Sequence, residues 1–119
     1  MLDDLNILIV EDEALIALDL SMILEDEGAD IHGPCCTVDA AMGCTDNIDA
    51  AILDVDLRGE TVFPIADRLQ AAGTPFIFHT GRADMEELRG RYGADVSVVV
   101  KPASSGQVLA SLTRAIGRR

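Results

Sequence analysis

Three acidic residues stand where apolar runs end. Asn6-Ile7-Leu8-Ile9-Val10 is followed by Glu11-Asp12, and Ala50-Ala51-Ile52-Leu53 by Asp54. Both runs are short, continuous and aliphatic, which is the pattern of a strand buried on both faces of a parallel sheet. Open α/β sheets take their ligands beyond the carboxyl ends of their strands, so all three carboxylates fall where a ligand is expected. Carboxylates crowded into one crevice repel one another and lose solvation. A hard divalent cation makes such a group tolerable, and Mg²⁺ suits one or two carboxylates together with waters and a phosphate. Mg²⁺ also offsets the repulsion between an attacking carboxylate and an incoming phosphoryl group, and aspartate forms covalent phosphoryl intermediates. Asp54 is the residue on which the function is expected to turn.

Two further residues fit that chemistry. Lys101 follows Val98-Val99-Val100 and precedes Pro102. A lysine at that strand end can reach the crevice and pair with a carboxylate or phosphoryl oxygen. Thr80 ends the run Pro75-Phe76-Ile77-Phe78-His79 and precedes Gly81, which places its hydroxyl to donate to a phosphoryl oxygen.

The elements that position these residues alternate along the chain. Strands are expected at residues 6–10, 29–33, 50–54, 75–79 and 96–100, with Pro34 stopping the second. Helices are expected at residues 13–27, ended by Gly28, at 38–44 with Thr37 as cap, at 61–72 with Pro64 in the first turn, at 84–91, and after Ser104 or Ser105. The fourth helix has only Met85 and Leu88 to bury. In the last, Val108, Leu112 and Ile116 share one face, and Arg114, Arg118 and Arg119 gather at its end, where the helix dipole favours cations. Five β–α units predict an α/β, flavodoxin-like (βα)5 three-layer sandwich with a parallel five-stranded sheet in the order 2-1-3-4-5. In that order strands one and three are neighbours, so Glu11, Asp12 and Asp54 converge.

Composition excludes several classes. The chain has 119 residues, 49% of them hydrophobic, so it is read as one folded domain rather than a disordered segment. No apolar run approaches ~20 residues, so no membrane span is expected, and the first residues lack the basic region of a secretory signal. The formal net charge of −12 opposes direct binding to nucleic acid or an anionic membrane surface. Cys35, Cys36 and Cys44 have no zinc spacing and are read as free thiols of a cytoplasmic protein. His32 and His79 are read as structural, because no second ligand spacing accompanies them.

Over its whole length the chain resembles a response-regulator receiver domain of bacterial two-component signalling, the CheY-like superfamily. Glu11-Asp12, Asp54, Thr80 and Lys101-Pro102 carry the resemblance in order and spacing. It implies that Asp54 accepts a phosphoryl group from a histidine kinase or phosphotransfer protein. It implies Mg²⁺ held by Asp12 and Asp54, by Glu11 through water, and by the backbone carbonyl of Asp56, whose side chain is read as a loop surface. Thr80 and Lys101 would contact the phosphoryl oxygens. Most receivers carry an aromatic residue three positions before the lysine, where this chain has Val98. The segment from Pro75 to Gly81 is similar to a stand-alone group, found mainly in alphaproteobacteria, that lacks this aromatic. Switching is therefore assigned to the loop after Thr80 and the sparse fourth helix, with Tyr92 read as packing on that helix or as surface, and as a substitute for the missing aromatic only in second place.

The sequence carries no DNA-binding or enzymatic output segment after Arg119, so the expected output is a changed binding surface, and a longer natural chain stays open. In the first helix Ile16, Leu20, Ile23 and Leu24 form a core face, while Leu15, Leu18 and Met22 form a second apolar stripe. That stripe is either buried or a docking patch for the phosphodonor. Two other readings compete. Asp54-Val55-Asp56 resembles the paired aspartates of haloacid-dehalogenase-like phosphohydrolases, although that family places them on its first strand and Arg58 stands where Thr or Val is expected. The other is a receiver-like scaffold that is never phosphorylated.

Overall fold

A computed structural model describes residues 2–81 and 84–118. In chain order its strands are β1 (Asn6–Val10), β2 (Asp30–Cys35), β3 (Ala50–Leu53), β4 (Asp56–Leu57), β5 (Glu60–Thr61), β6 (Phe76–Thr80) and β7 (Val98–Val100). All but the short β4 and β5 form one parallel sheet in the order β2-β1-β3-β6-β7. Helices α1 (Ala14–Asp26) and α5 (Ser105–Gly117) cover one face. Helices α2 (Val38–Met42), α3 (Phe63–Ala71) and α4 (Met85–Tyr92) cover the other. This is the expected flavodoxin-like architecture. Alternate β1 residues divide the core. Ile7 and Ile9 pack with Leu20, Leu24, Val108 and Leu112, whereas Leu8 and Val10 pack with Val38, Ile65, Leu69 and Leu88. Arg119 and residues 82–83 of the segment assigned to switching lie outside the described residues.

The helix ends follow local chemistry. Thr37 accepts the Ala40 amide, Asp84 accepts the Glu87 amide, and Ser104 with Gln107 forms a reciprocal capping box. Four expectations change. Helix α2 ends at Met42 with Gly43 as its cap and does not reach residue 44. Pro34 does not stop β2, which runs on to Cys35. β2 is an edge strand, where a missing N–H on the outer side leaves no ladder bond unmade. Gly33 lies beside the register shift between β1 and β2 at φ +104°, and a Cβ there would meet the Ile9 carbonyl at 2.7 Å. The third helix begins at Phe63, not residue 61, because Thr61 belongs to the small antiparallel hairpin of β4 and β5. Its two turn residues, Arg58 and Gly59, have φ +50° and +87°, the positive pair that a tight two-residue hairpin turn requires. The strand expected at residues 96–100 is confined to Val98–Val100.

The aromatic residues gather under α4. The Tyr92 ring lies 5.5 Å from Phe76, 5.4 Å from Phe78 and 6.1 Å from Phe63. Its hydroxyl donates to Asp67 Oδ1 at 2.8 Å, and burial with that bond holds its proton above the usual range. Leu88 is the buried residue of α4, so Tyr92 carries much of the helix's attachment. Tyr92→Phe is expected to cost about 1 kcal/mol in urea unfolding and to lower amide protection over Met85–Tyr92. Unchanged protection in α4 would show that ring packing and Leu88 hold the helix without the hydroxyl bond.

On α1, Leu15 is 80% exposed, Leu18 54% and Met22 57%, while Ala17, Leu20 and Leu24 are buried. The second stripe is an open apolar surface. Among the described residues no helix is long and apolar enough to cross a membrane. The three cysteines are free thiols, and burial pushes Cys35 up to about 11, which suits a packing group rather than a nucleophile.

Candidate functional site

Strand register puts the chemistry on one edge. Val10 pairs with Leu53, Leu53 with Phe78, and Thr80 with Val100. The next residues along β1, β3 and β7 are Glu11, Asp54 and Lys101. Backbone bonds hold this edge past the strands: Asp54 N–H to the Val10 carbonyl at 2.9 Å, Glu11 N–H to the Cys35 carbonyl at 3.0 Å, and Lys101 N–H to the Thr80 carbonyl at 2.8 Å.

Glu11, Asp12 and Asp54 each present a carboxylate oxygen within 4.8 Å of the others. Glu11 is 2% exposed and Asp54 6%. Burial pushes the Glu11 carboxyl up to about 7 against the opposing pull of its Lys101 bond, so holding this group ionised is costly. The Lys101 ammonium meets Glu11 Oε1 at 2.9 Å, Asp54 Oδ2 at 2.9 Å and Glu13 Oε2 at 2.8 Å. Burial pulls its proton affinity down, but bonds to Glu13, Asp54 and Glu11 outweigh that and hold it above the usual lysine range. Backbone amides supply further positive ends. The Asp56 N–H donates to Asp54 Oδ1 at 3.3 Å and the Arg58 N–H, at the hairpin tip, to Asp12 Oδ2 at 3.2 Å.

A cavity of about 260 Å³ opens over these groups, lined by Asp12, Glu13, Asp54, Asp56, Thr80, Gly81 and Lys101. Thr80 is buried at its wall. A donor set of hard oxygens with one ammonium among several carboxylates suits a small divalent cation. The Asp56 side chain is exposed and stands outside the three-carboxylate group, so any part it plays falls to its backbone.

Sequence reasoning passed over Glu13, which it took as the start of a helix. Its signal was the unbroken Glu11-Asp12-Glu13 run, but only the fold shows that Lys101 reaches the third member. It also passed over the setting of His79. That ring is 3% exposed, and among the described residues neither ring nitrogen has a hydrogen-bond partner. Burial lowers its affinity for a second proton.

No family model matches the chain, and no curated protein matches it. Solved structures do. SdrG from Sphingomonas melonis Fr1 is 40% identical with a TM-score of 0.78, over 95% of this chain and 96% of that one. The non-phosphorylated HemR receiver domain from Leptospira biflexa is 25% identical with a TM-score of 0.81, over 95% and 94%. A CheY-like response regulator receiver domain protein from Methanospirillum hungatei JF-1, 23% identical, shares the fold at a TM-score of 0.81 over 98% and 96%. With such identity across almost the full length of one relative and receiver domains as its neighbours in fold, the chain belongs to the response-regulator receiver (CheY-like) family.

Proposed function

We propose that the chain is a phosphoacceptor receiver. Asp54 takes a phosphoryl group from the phosphohistidine of a histidine kinase or phosphotransfer protein, in a reaction that needs Mg²⁺, and the binding surface changes. The observation that carries this reading is the position of the Asp54 carboxylate, within 4.8 Å of Glu11 and Asp12 oxygens and 2.9 Å from the Lys101 ammonium. Asp12 and Asp54 would hold the ion directly, Glu11 through water, and Asp56 by its backbone carbonyl. Bound there, Mg²⁺ offsets the repulsion between anionic acceptor and anionic donor.

The chain's own residues do the rest. One Asp54 oxygen attacks phosphorus, the phosphorus–nitrogen bond breaks, and the donor imidazole leaves with the electron pair. Lys101 turns an N–H toward the arriving oxygens, and the Thr80 hydroxyl donates to another. Water later cleaves the acyl phosphate to inorganic phosphate and free Asp54. The hydrolase alternative asks Asp56 to act as a general acid, and its exposed side chain outside the carboxylate group gives that role little support. The scaffold alternative leaves the whole acidic set with Lys101 unexplained. Incubation with Mg²⁺ and acetyl phosphate, read by intact mass and mapping of the modified residue, tests the proposal. A protein that stays unmodified overturns it.

The α1 stripe is the proposed donor surface, because Leu15, Leu18 and Met22 stand exposed on the helix that starts at the acidic pair. Leu18→Asp is expected to slow transfer from the cognate donor by about tenfold, since a charge replaces apolar contact at an interface. Labelling by acetyl phosphate is expected to stay within about twofold, as no docking is involved. Equal loss of both rates would show that Leu18→Asp disturbs the site or the fold and not donor docking.

A further inference from the structure

A lysine ammonium has three N–H donors, and here each meets a carboxylate: Glu11, Asp54 and Glu13. A phosphoryl group approaching Asp54 therefore finds no free donor on Lys101, and one bond must be given up before the new one to phosphorus forms. Glu11 is buried, and Asp54 is the acceptor itself. Glu13 differs from both. Its side chain is 58% exposed, so water replaces the lost contact, and it stands outside the three-carboxylate group. It also sits at the N-cap of α1 without making a side-chain cap, while its backbone N–H is fixed to Glu11 Oε2 at 3.1 Å. The carboxylate is thus drawn away from the helix end and toward Lys101.

A second observation gives that carboxylate somewhere to go. Glu13, Lys101 and His79 line one cavity of about 460 Å³ between the start of α1 and the connection from β7 to α5, with Ile16 and Pro102 among its walls. His79 borders it with both ring nitrogens unpartnered among the described residues. A neutral imidazole keeps one N–H donor, and a buried donor without an acceptor is a rarity in a folded protein.

We infer that Glu13 is the detachable partner of Lys101: it restrains the ammonium while Asp54 is unmodified, and its carboxylate passes to the His79 imidazole when a phosphoryl group claims that ammonium. This deepens the phosphoacceptor reading and rests on it. Glu13 is a positioning residue, acting through Lys101.

The test compares wild type, Glu13→Gln and Glu13→Asp with Mg²⁺ and acetyl phosphate. Initial labelling of Asp54 is expected to be about fivefold faster in both variants, the size of effect a half-exposed ion pair exerts. Aspartate keeps the charge but falls one methylene short of Lys101. Rates equal to wild type in both variants overturn the inference. So does acceleration by Gln alone, which would trace the effect to the charge felt by the anionic donor and not to the bond. The handover has its own signature. The chain has only two histidines, so imidazole nitrogen resonances are readily followed. Addition of beryllofluoride with Mg²⁺ is expected to move the His79 signals in wild type and leave them in place in Glu13→Gln. His79 signals that stay fixed in wild type overturn the handover. A wild type that acetyl phosphate does not label defeats the phosphoacceptor reading and this inference with it, whereas a labelled wild type with unaltered variants defeats the inference alone.

Discussion

Asp54→Asn is expected to abolish labelling by acetyl phosphate, with a loss on the order of 10³-fold or more, because an amide oxygen does not replace the carboxylate nucleophile. The variant is expected to fold. The asparagine amide keeps the shape of the side chain and one acceptor oxygen, which serves either Lys101 or the Asp56 N–H, donors that now meet separate carboxylate oxygens at 2.9 Å and 3.3 Å. The substitution also removes one negative charge from a group whose members stand within 4.8 Å. Two measurements separate the chemical effect from a structural one. Intact mass reports the phosphoryl group, and thermal unfolding with and without Mg²⁺ reports the cation. Wild type is expected to gain about 2.7 kcal/mol at a Mg²⁺ concentration about 100-fold above its Kd. Asp54→Asn is expected to gain clearly less, having lost a ligand. Full labelling of Asp54→Asn, with the group mapped to another side chain, would remove Asp54 from the centre of the account.

Lys101→Met is the second large effect, and it acts on both stability and rate. Lys101 is the ammonium that meets Glu11, Glu13 and Asp54, and the Glu11 partner is almost fully buried. Methionine fills similar volume but leaves those carboxylates facing each other. Stranding buried charge in this way is expected to cost about 3 kcal/mol without Mg²⁺, and Mg²⁺ is expected to restore part of it, since a cation replaces the lost ammonium. Labelling is expected to slow about 10²-fold, as one charge-assisted contact to the developing phosphoryl charge is gone. Urea unfolding and the initial labelling rate check the two halves. A variant as stable as wild type without Mg²⁺ would mean that the carboxylates do not depend on Lys101 for their charge balance. Asp54→Asn removes a negative charge from the group and Lys101→Met its positive one, so together they test the crowding of charge.

What the sequence determined by itself follows from local physics. Aliphatic runs such as Ile7-Leu8-Ile9-Val10 must be buried, and five of them alternating with helical patterns leave a parallel sheet as the simplest way to bury them all. Parallel strands point the same way, so the residues after Val10, Leu53 and Val100 land on one edge whatever the loops do. That is why Glu11, Asp12, Asp54 and Lys101 were legible as a group before any coordinates.

Tertiary structure decided the rest, because period and spacing do not say what covers a side chain. The stripe of Leu15, Leu18 and Met22 has the same pattern whether a neighbour packs on it or not, and only the arrangement of α1 leaves it open. Pro34 reads as a strand stop, yet an edge strand needs no donor on its outer side. Tyr92 is one residue on a sparse helix until the fold brings Phe63, Phe76 and Phe78 around it. Glu13 and Lys101 are 88 residues apart in the chain, and nothing local forecasts a 2.8 Å contact between them. Sequence settles which groups must leave water and which strand ends they follow. The partner each charged group finds there is a long-range property, fixed only when loops, helix starts and strand ends occupy the same few ångströms.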